Sequence, residues 1–308
     1  MANTELHYNT IADLAILLEK QEVSPVEVTE TILNRIGDLD SRYKSYATVM
    51  ADHAMQAAKH AEEEIRKGHY KGPLHGVPVA VKDLCFTDGV RTMGGAKVME
   101  NHIPTFDSTV VSRLAAAGSV LLGKLNLTEG AMGGYNPSFD VPLNPWNTGR
   151  WAGASSSGSG VSTALGLCYG SLGSDTGGSI RFPAAACGTV GLKPTWGRVS
   201  RYGVLALAES LDHVGPLTRS SADAAIMLKA IAGPDANDPT TIATPAPDML
   251  SDIDAGVKGI RIGLDENYVT NGVDPELSRA VLDGVKILES LGAAVVDIKM
   301  PDVDRYMP

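Results

Sequence analysis

From Pro78 onward, short apolar runs alternate with helix-like segments, and that beat restricts the fold more tightly than any other feature of the chain. Val79-Ala-Val81 is followed by a helical pattern near Ser108 to Ala117, closed by Gly118, and then by Val120-Leu-Leu122. Runs this short, without polar alternation, suit strands covered on both faces. The beat returns late, with a strand at Ile260 to Leu264, a helix from about Pro275 to Leu291 and a strand near Ala294 to Ile298. The pattern predicts an α/β fold, a sheet with parallel strands flanked by helices.

Ahead of that core, the first 67 residues read as helical. Ser24-Pro25-Val26-Glu27 has the form of a capping box with proline at the first helical position, where its missing N–H costs nothing. Val28, Ile32, Leu33 and Ile36 follow at helical spacing. A second helix is predicted from about Ala51 to Lys67, with Gly68 as its stop. Both belong to an N-terminal helical layer packed on something larger.

The stretch from about Gly149 to Gly215 is dense in glycine and serine, as a flexible linker would be. Against that reading, Val161, Ala164, Leu165 and Leu167 follow the serines at near-helical spacing, and Val190, Leu192, Val199, Val204 and Leu205 keep the region apolar. It therefore reads as folded core. Gly233 to Asp254, rich in Pro, Asp and Thr, reads as an exposed excursion. The expected organisation is a single domain over residues 1–308, with helices over 1–70, a core over 71–232, a loop over 233–254 and a later α/β segment over 255–308.

Composition narrows the classes. The 308 residues are 44% hydrophobic and 20% charged, the balance of a folding chain rather than a disordered one. Lys plus Arg total 26 against 36 for Asp plus Glu, a net charge of −10. That disfavours the broad basic field phosphate backbones need, and no direct nucleic-acid binding is expected. Cys85, Cys168 and Cys187 form no C-x-x-C pair, so neither a disulfide framework nor a thiolate metal site is indicated. With no basic-then-apolar leader and no apolar run of about 18 residues, the chain reads as cytoplasmic, away from the membrane.

Familiar catalytic motifs are missing or incomplete. Gly118-Ser-Val-Leu-Leu-Gly123-Lys124-Leu125 approaches the phosphate-binding G-x-x-x-x-G-K-[ST], but Leu125 lacks the metal-binding hydroxyl and Val120 to Leu122 read as a strand. No G-x-S-x-G elbow occurs, and His60 lacks the second histidine of H-E-x-x-H. Among the seven histidines only His213, in Ser210-Leu-Asp-His213, has an ordered-looking context with an aspartate beside it. A histidine pinned by a turn is the plainer reading.

The richest constellation is Gly173-Ser-Asp-Thr-Gly-Gly-Ser179-Ile-Arg-Phe-Pro183. Its paired glycines let the backbone bend so that successive N–H groups point into one concavity, able to hold a developing oxyanion, with Ser179 at the rim. A generic tight turn is the alternative. Ser155 lies 24 residues upstream, in Gly153-Ala-Ser155-Ser-Ser-Gly-Ser-Gly160, so a hydroxyl relay is possible. Lys82 ends the run Gly76-Val-Pro-Val-Ala-Val-Lys82. Burial there would disfavour the ammonium form and leave an amine able to accept a proton near neutral pH. A salt bridge to a carboxylate such as Asp83, or snorkelling to the surface, is the alternative.

Together these segments resemble the amidase signature family. The likeness rests on Gly76 to Asp83, Asp107 to Lys124, Asn144-Pro-Trp-Asn147, Gly153 to Gly160, Gly173 to Pro183, Gly188 to Arg201 and Ser210 to Arg219, in family order across residues 10 to 300. The resemblance implies a large, mixed, mostly parallel twisted sheet with helices on both faces. It also implies a Ser-Ser-Lys triad, with Ser179 as nucleophile, Ser155 as the bridging serine in a cis peptide with Ser156, and Lys82 as base. The oxyanion hole would be the N–H groups of Thr176, Gly177, Gly178 and Ser179, with structural support from Ser156, Asp175 and Arg181. Met132 and Gly133 fall where family members line the acyl site. No metal and no cofactor are implied.

Two departures from the family pattern stand out. Ala154 and Ser157 replace glycines of the commoner Gly-Gly-Ser-Ser-Gly, leaving Ser155 in place. Family members also continue well past the helix at Pro275 to Leu291, so a chain stopping at Pro308 is expected to be C-terminally incomplete. The implied function is cleavage of the C–N bond of small or aryl amides, or of carbamates, through a covalent acyl-enzyme, with a small molecule as partner and oligomerisation left open. One alternative is the glutaminase subunit of a glutamine-dependent aminoacyl-tRNA amidotransferase. Another, of a different class, is an inactive scaffold or interaction subunit. Phe182 and Gly133-Gly134-Tyr135 favour the independent amidase.

Overall fold

A computed structural model describes residues 6–302 and 305. The first five residues, read as carrying no leader, and the chain end at Pro308 lie outside the described residues. The chain divides into two compact units, one up to Leu250 and one from Ser251 on. The division falls inside the Pro-, Asp- and Thr-rich stretch read as an excursion.

The first unit opens with helices, for the reasons the sequence supplies. Helix α1 (Ile11–Glu19) is capped by Thr10, whose side chain accepts from the Asp13 N–H. Helix α2 (Pro25–Tyr43) starts at the predicted box: Ser24 Oγ accepts from the Glu27 N–H at 3.0 Å, and Pro25 takes the first turn. Strand β1 (Tyr46–Val49) interrupts the helical layer, which the sequence pattern does not reveal. Helix α3 (Ala51–Arg66) buries Ala54, Ala58, Ala61 and Ile65, one stripe at three- and four-residue spacing.

Strand β2 (Pro78–Lys82), helix α4 (Thr109–Ala116) and strand β3 (Val120–Leu125) follow where the apolar runs predict them. Helix α5 (Ser157–Ala164) and strand β4 (Gly170–Asp175) come next, then helix α6 (Arg181–Cys187) and the two-residue strand β5 (Val190–Gly191). Strand β6 (His213–Thr218) and helix α7 (Ser221–Ile231) complete the unit's regular elements.

The strands form one mixed sheet in the order β1-β3-β2-β4-β6-β5. Its centre, β3-β2-β4, is parallel, and every residue of those three strands is buried, as the apolar runs of β2 and β3 require and the small residues of β4 permit. Antiparallel strands extend both flanks: β1 against β3, and β6 between β4 and β5. The register sets Val81 beside Lys124 on one side and beside Leu172 on the other. Lys82, Leu125 and Asp175 thus end their strands at the carboxyl edge of the parallel centre, where open α/β sheets place their ligands.

The second unit is a smaller α/β arrangement. Strand β7 (Arg261–Leu264), helix α8 (Glu266–Thr270), helix α9 (Pro275–Ser290) and strand β8 (Ala294–Asp297) match the late beat of the sequence, and β7 pairs with β8 in parallel. No helix among the described residues is long and apolar enough to cross a membrane.

Candidate active site

Lys82 is fully buried at the end of β2. Its Nζ donates to Ser155 Oγ at 2.5 Å and to Ser156 Oγ and Ser174 Oγ at 2.9 Å each. Burial pulls its pKa from 10.5 down to about 7, against the opposing pull of Asp175 and Asp212. The salt bridge weighed as its alternative belongs to another lysine. Asp83 faces Lys124, whose Nζ lies 3.7 Å from Asp83 Oδ1 and donates to the Cys85 carbonyl and to Thr92 Oγ1. Consecutive residues at the end of a strand address different surroundings.

The serines arrive from the segment that leads into α5. Gly153 has φ +83°, and a Cβ there would stand 2.3 Å from Pro183 Cα, so only glycine passes this close to the start of α6. The cis peptide bond falls between Ala154 and Ser155, one residue earlier than expected. It directly follows that close passage of Gly153, whereas the Ser155–Ser156 bond already leads into the helix. Ser156 is tied to β4: its hydroxyl donates to the Ser174 carbonyl at 3.1 Å and accepts the Ser174 N–H at 3.2 Å. Its proton is thereby occupied, and towards Lys82 it acts as an acceptor.

Ser179 lies in the turn between β4 and α6. The Asp175 carboxylate organises that turn, accepting from the N–H groups of Gly178 (2.8 Å) and Ile180 (3.1 Å) and from Arg181 Nε (3.0 Å) and Nη2 (2.9 Å). Burial alone would raise the Asp175 carboxyl, but the Arg181 bonds and these two N–H groups outweigh it and hold it below the usual carboxylate range. Gly178 has φ +130°, and a Cβ there would strike the Phe182 ring at 2.4 Å. This corrects one expectation: the Gly178 N–H is committed to the Asp175 carboxylate and is not free for an oxyanion. The N–H groups of Thr176, Gly177 and Ser179 have no hydrogen-bond partner among the described residues. Nothing stands within 4 Å of where a Gly177 Cβ would be, so that side of the turn is open.

The Ser179 carbonyl accepts the Ser156 N–H at 3.2 Å, which joins the Ser179 backbone to the serine pair. The Ser179 hydroxyl has no hydrogen-bond partner among the described residues, so it does not meet Ser155 Oγ at hydrogen-bond distance in this state. Lys82, Ser155 and Ser156 are therefore assembled, together with Ser174, while Ser179 joins them through its main chain.

Met132 and Gly133 are exposed on a loop anchored over the serines. The Thr128 N–H donates to the Ser155 carbonyl at 3.3 Å, and the Tyr135 hydroxyl donates to Ser157 Oγ at 2.7 Å. His213 is pinned, in line with the plainer reading: its Nδ1 pairs with the Asp175 carbonyl at 3.0 Å. Sequence reasoning misses Ser174, although it stands inside the Gly173 to Pro183 constellation. A cavity of about 480 Å³ reaches Ser174 and is lined also by Ala131, Asp212, His213, Arg201 and Trp196. No group of three or more His, Cys, Asp or Glu side chains arranged to hold a metal occurs among the described residues.

Comparison with known proteins accords with this geometry. The family model described as Amidase matches residues 27–308. A Mycobacterium tuberculosis protein named "Putative amidase AmiD" is 51% identical over 282 residues, covering 92% of this chain and 59% of that protein. A glutamyl-tRNA(Gln) amidotransferase subunit from Geobacter sulfurreducens is 47% identical over 302 residues, covering 97% and 62%. The solved structure of native peptide amidase from Stenotrophomonas maltophilia aligns with a TM-score of 0.89 at 33% identity, covering 97% of this chain and 63% of that one. The chain thus spans about three fifths of the length of these relatives. Sequence and fold together make it a member of the amidase family.

Proposed function

We propose that this chain carries the catalytic centre of an amide hydrolase working through a Ser-Ser-Lys relay. The observation that carries the reading is a fully buried amine, poised near neutrality, against three serine hydroxyls and, among the described residues, no carboxylate at ion-pair distance. A neutral amine donates two hydrogen bonds and accepts one. Ser156 is an acceptor towards Lys82 because its own proton goes to the Ser174 carbonyl, so the lone pair is available to Ser155.

In the reaction, the Ser179 hydroxyl rotates towards Ser155 and gives up its proton as Ser155 passes its own to Lys82. The Ser179 oxygen bonds to the substrate carbonyl carbon, and the carbonyl π electrons move to oxygen. That oxyanion rests on the N–H groups of Thr176, Gly177 and Ser179, each donor of this kind contributing on the order of 10²–10³ in rate. Collapse breaks the C–N bond, and the proton returns through Ser155 to the leaving nitrogen. Water, activated by the same relay, then releases the acyl group.

Small and aryl amides are the substrates proposed, with carbamates presenting the same carbonyl. Phe182 and Trp151 support the aryl preference: both are exposed, 51% and 58%, with ring centroids 6.0 Å apart beside the Ser179 turn. The three buried free cysteines fit a reducing, cytoplasmic setting. The likeness to amidotransferase subunits at 47% identity favours a second reading, in which the same relay releases ammonia from glutamine for a partner subunit.

Assay of the purified protein with an anilide, a carbamate and glutamine separates the readings. Cleavage of the first two without a partner is the expected result, while glutamine use only within a complex would select the second. Undiminished activity in Ser179→Ala would overturn the mechanism.

A further inference from the structure

Asp212 takes no part in the proton relay, yet it joins two walls of the site. Its carboxylate accepts the Leu207 N–H at 2.8 Å and the Ala208 N–H at 3.1 and 3.0 Å, while its own N–H donates to the Ala208 carbonyl at 2.9 Å. These bonds close residues 207–212 into a turn that fixes the carboxylate without outside help. One partner lies across the site: Thr176 Oγ1 donates to Asp212 Oδ1 at 2.5 Å. Thr176 opens the turn in which the N–H groups of Thr176, Gly177 and Ser179 have no partner among the described residues, with open space beside Gly177. The neighbouring His213 holds the base of that turn, through the Asp175 carbonyl and the β4–β6 ladder. Leu207, Glu209 and Asp212 also line the cavity that reaches Ser174.

We propose that Asp212 is a positioning residue, which anchors Thr176 and so aims the Thr176 and Gly177 N–H groups at the substrate carbonyl from a loop that also walls the cavity. The proposal rests on the amide-cleaving reading of the site. A carboxylate that merely closed its own turn would not need the Thr176 hydroxyl.

Asp212 acts on Lys82 as well. The titratable groups that influence Lys82 are Cys85, Asp175 and Asp212. Burial pushes the Cys85 thiol up to about 11, so it is uncharged near neutral pH, and Arg181 pairs with Asp175. Both carboxylates favour the protonated amine. Removing the Asp212 charge therefore moves the titration of Lys82 to lower pH.

The test compares Asp212→Asn, Thr176→Val, Thr176→Ser and the Asp212→Asn/Thr176→Val double variant in the full chain. Asp212→Asn and Thr176→Val should each lower kcat about 10- to 100-fold with little change in KM, below the ~10²–10³ for losing a whole oxyanion donor. The double variant should be no worse than the poorer single one, because both break one link. Thr176→Ser, which keeps the hydroxyl, should restore activity. In parallel, 13C NMR titration of Lys82 should show a lower midpoint in Asp212→Asn and an unchanged one in Thr176→Val.

Unchanged kcat and an unchanged Lys82 midpoint in Asp212→Asn would overturn the proposal, as would losses confined to KM or fully additive losses. If Asp212→Asn does not fold, the contrast between Thr176→Val and Thr176→Ser decides. If the wild type cleaves no amide, the functional reading falls, whereas the backbone amide NMR shifts of Thr176 and Gly177 still decide this one: they should move alike in Asp212→Asn and Thr176→Val and stay near wild type in Thr176→Ser, and unmoved shifts in Asp212→Asn would overturn it.

Discussion

Two lysines lie fully buried on neighbouring strands, and their surroundings divide their chemistry. Lys124 on β3 donates to the Cys85 carbonyl and the Thr92 hydroxyl, with the Asp83 carboxylate at 3.7 Å. Lys82 on β2 meets three serine hydroxyls and, among the described residues, no carboxylate at ion-pair distance. Burial pulls both ammonium groups towards neutrality, yet only Lys124 has a counter-charge beside it. Burial with a partner makes a structural cross-link; burial among hydroxyls leaves an amine that can give up its proton near neutral pH.

The sharpest way to break this comparison is by activity. Lys82→Met should lower kcat for an anilide by about 10³-fold or more, as losing one member of a coupled catalytic unit does. Lys82→Arg should not rescue it, since a guanidinium keeps its proton. Lys124→Met, measured under conditions where it is folded, should keep a substantial share of wild-type activity, and equal losses at the two positions would erase the distinction.

Stability should part the pair in the opposite sense. Lys124→Met strands Asp83, whose Oδ1 already accepts no hydrogen bond, and should cost about 3–5 kcal/mol by chemical denaturation. Adding Asp83→Leu should recover most of that loss. If it recovers none, the two residues are not a pair.

The pH dependence sharpens the comparison further. Activity should rise as pH passes through about 7, where Lys82 loses its proton; a rate that does not change across this range would deny Lys82 its role. Stability carries the same signature. The folded-state value of about 7 lies below the ordinary 10.5, so between them the unfolded chain binds the extra proton and this group's contribution to stability rises with pH. Measured against wild type, Lys82→Met should be at its relative best below about pH 7 and lose that advantage towards pH 10.5. The smallest effect is expected at His213. His213→Gln should change kcat only a few-fold, far short of the ~10²–10⁴ a general base contributes.

Much of the fold and of the site is legible in the sequence alone. Lys82 stands out because a charge closes an apolar strand, and the cap at Ser24 and Pro25 fixes a helix start from local chemistry. What stays hidden depends on neighbours distant in sequence. Lys124 falls in a chance near-match to a phosphate loop that says nothing of its role, and its pairing with Asp83 emerges only when β2 and β3 lie side by side. Ser174 acquires its contact with Lys82 because β4 flanks β2 on the other side. Strand β6 is obscured by Gly215 and Pro216, which read locally as a turn although the strand pairs on both sides. The Gly178 N–H looks free in the sequence because the Asp175 carboxylate that takes it folds back from three residues earlier.

The most direct measurement is the titration of Lys82 itself, followed at its Cε by 13C NMR in lysine-labelled protein and assigned with Lys82→Met. A midpoint near about 7 is the result expected of a buried amine serving as base. A midpoint at the ordinary 10.5 or above would mean that Lys82 stays charged at neutral pH, and would contradict its role in activating Ser179.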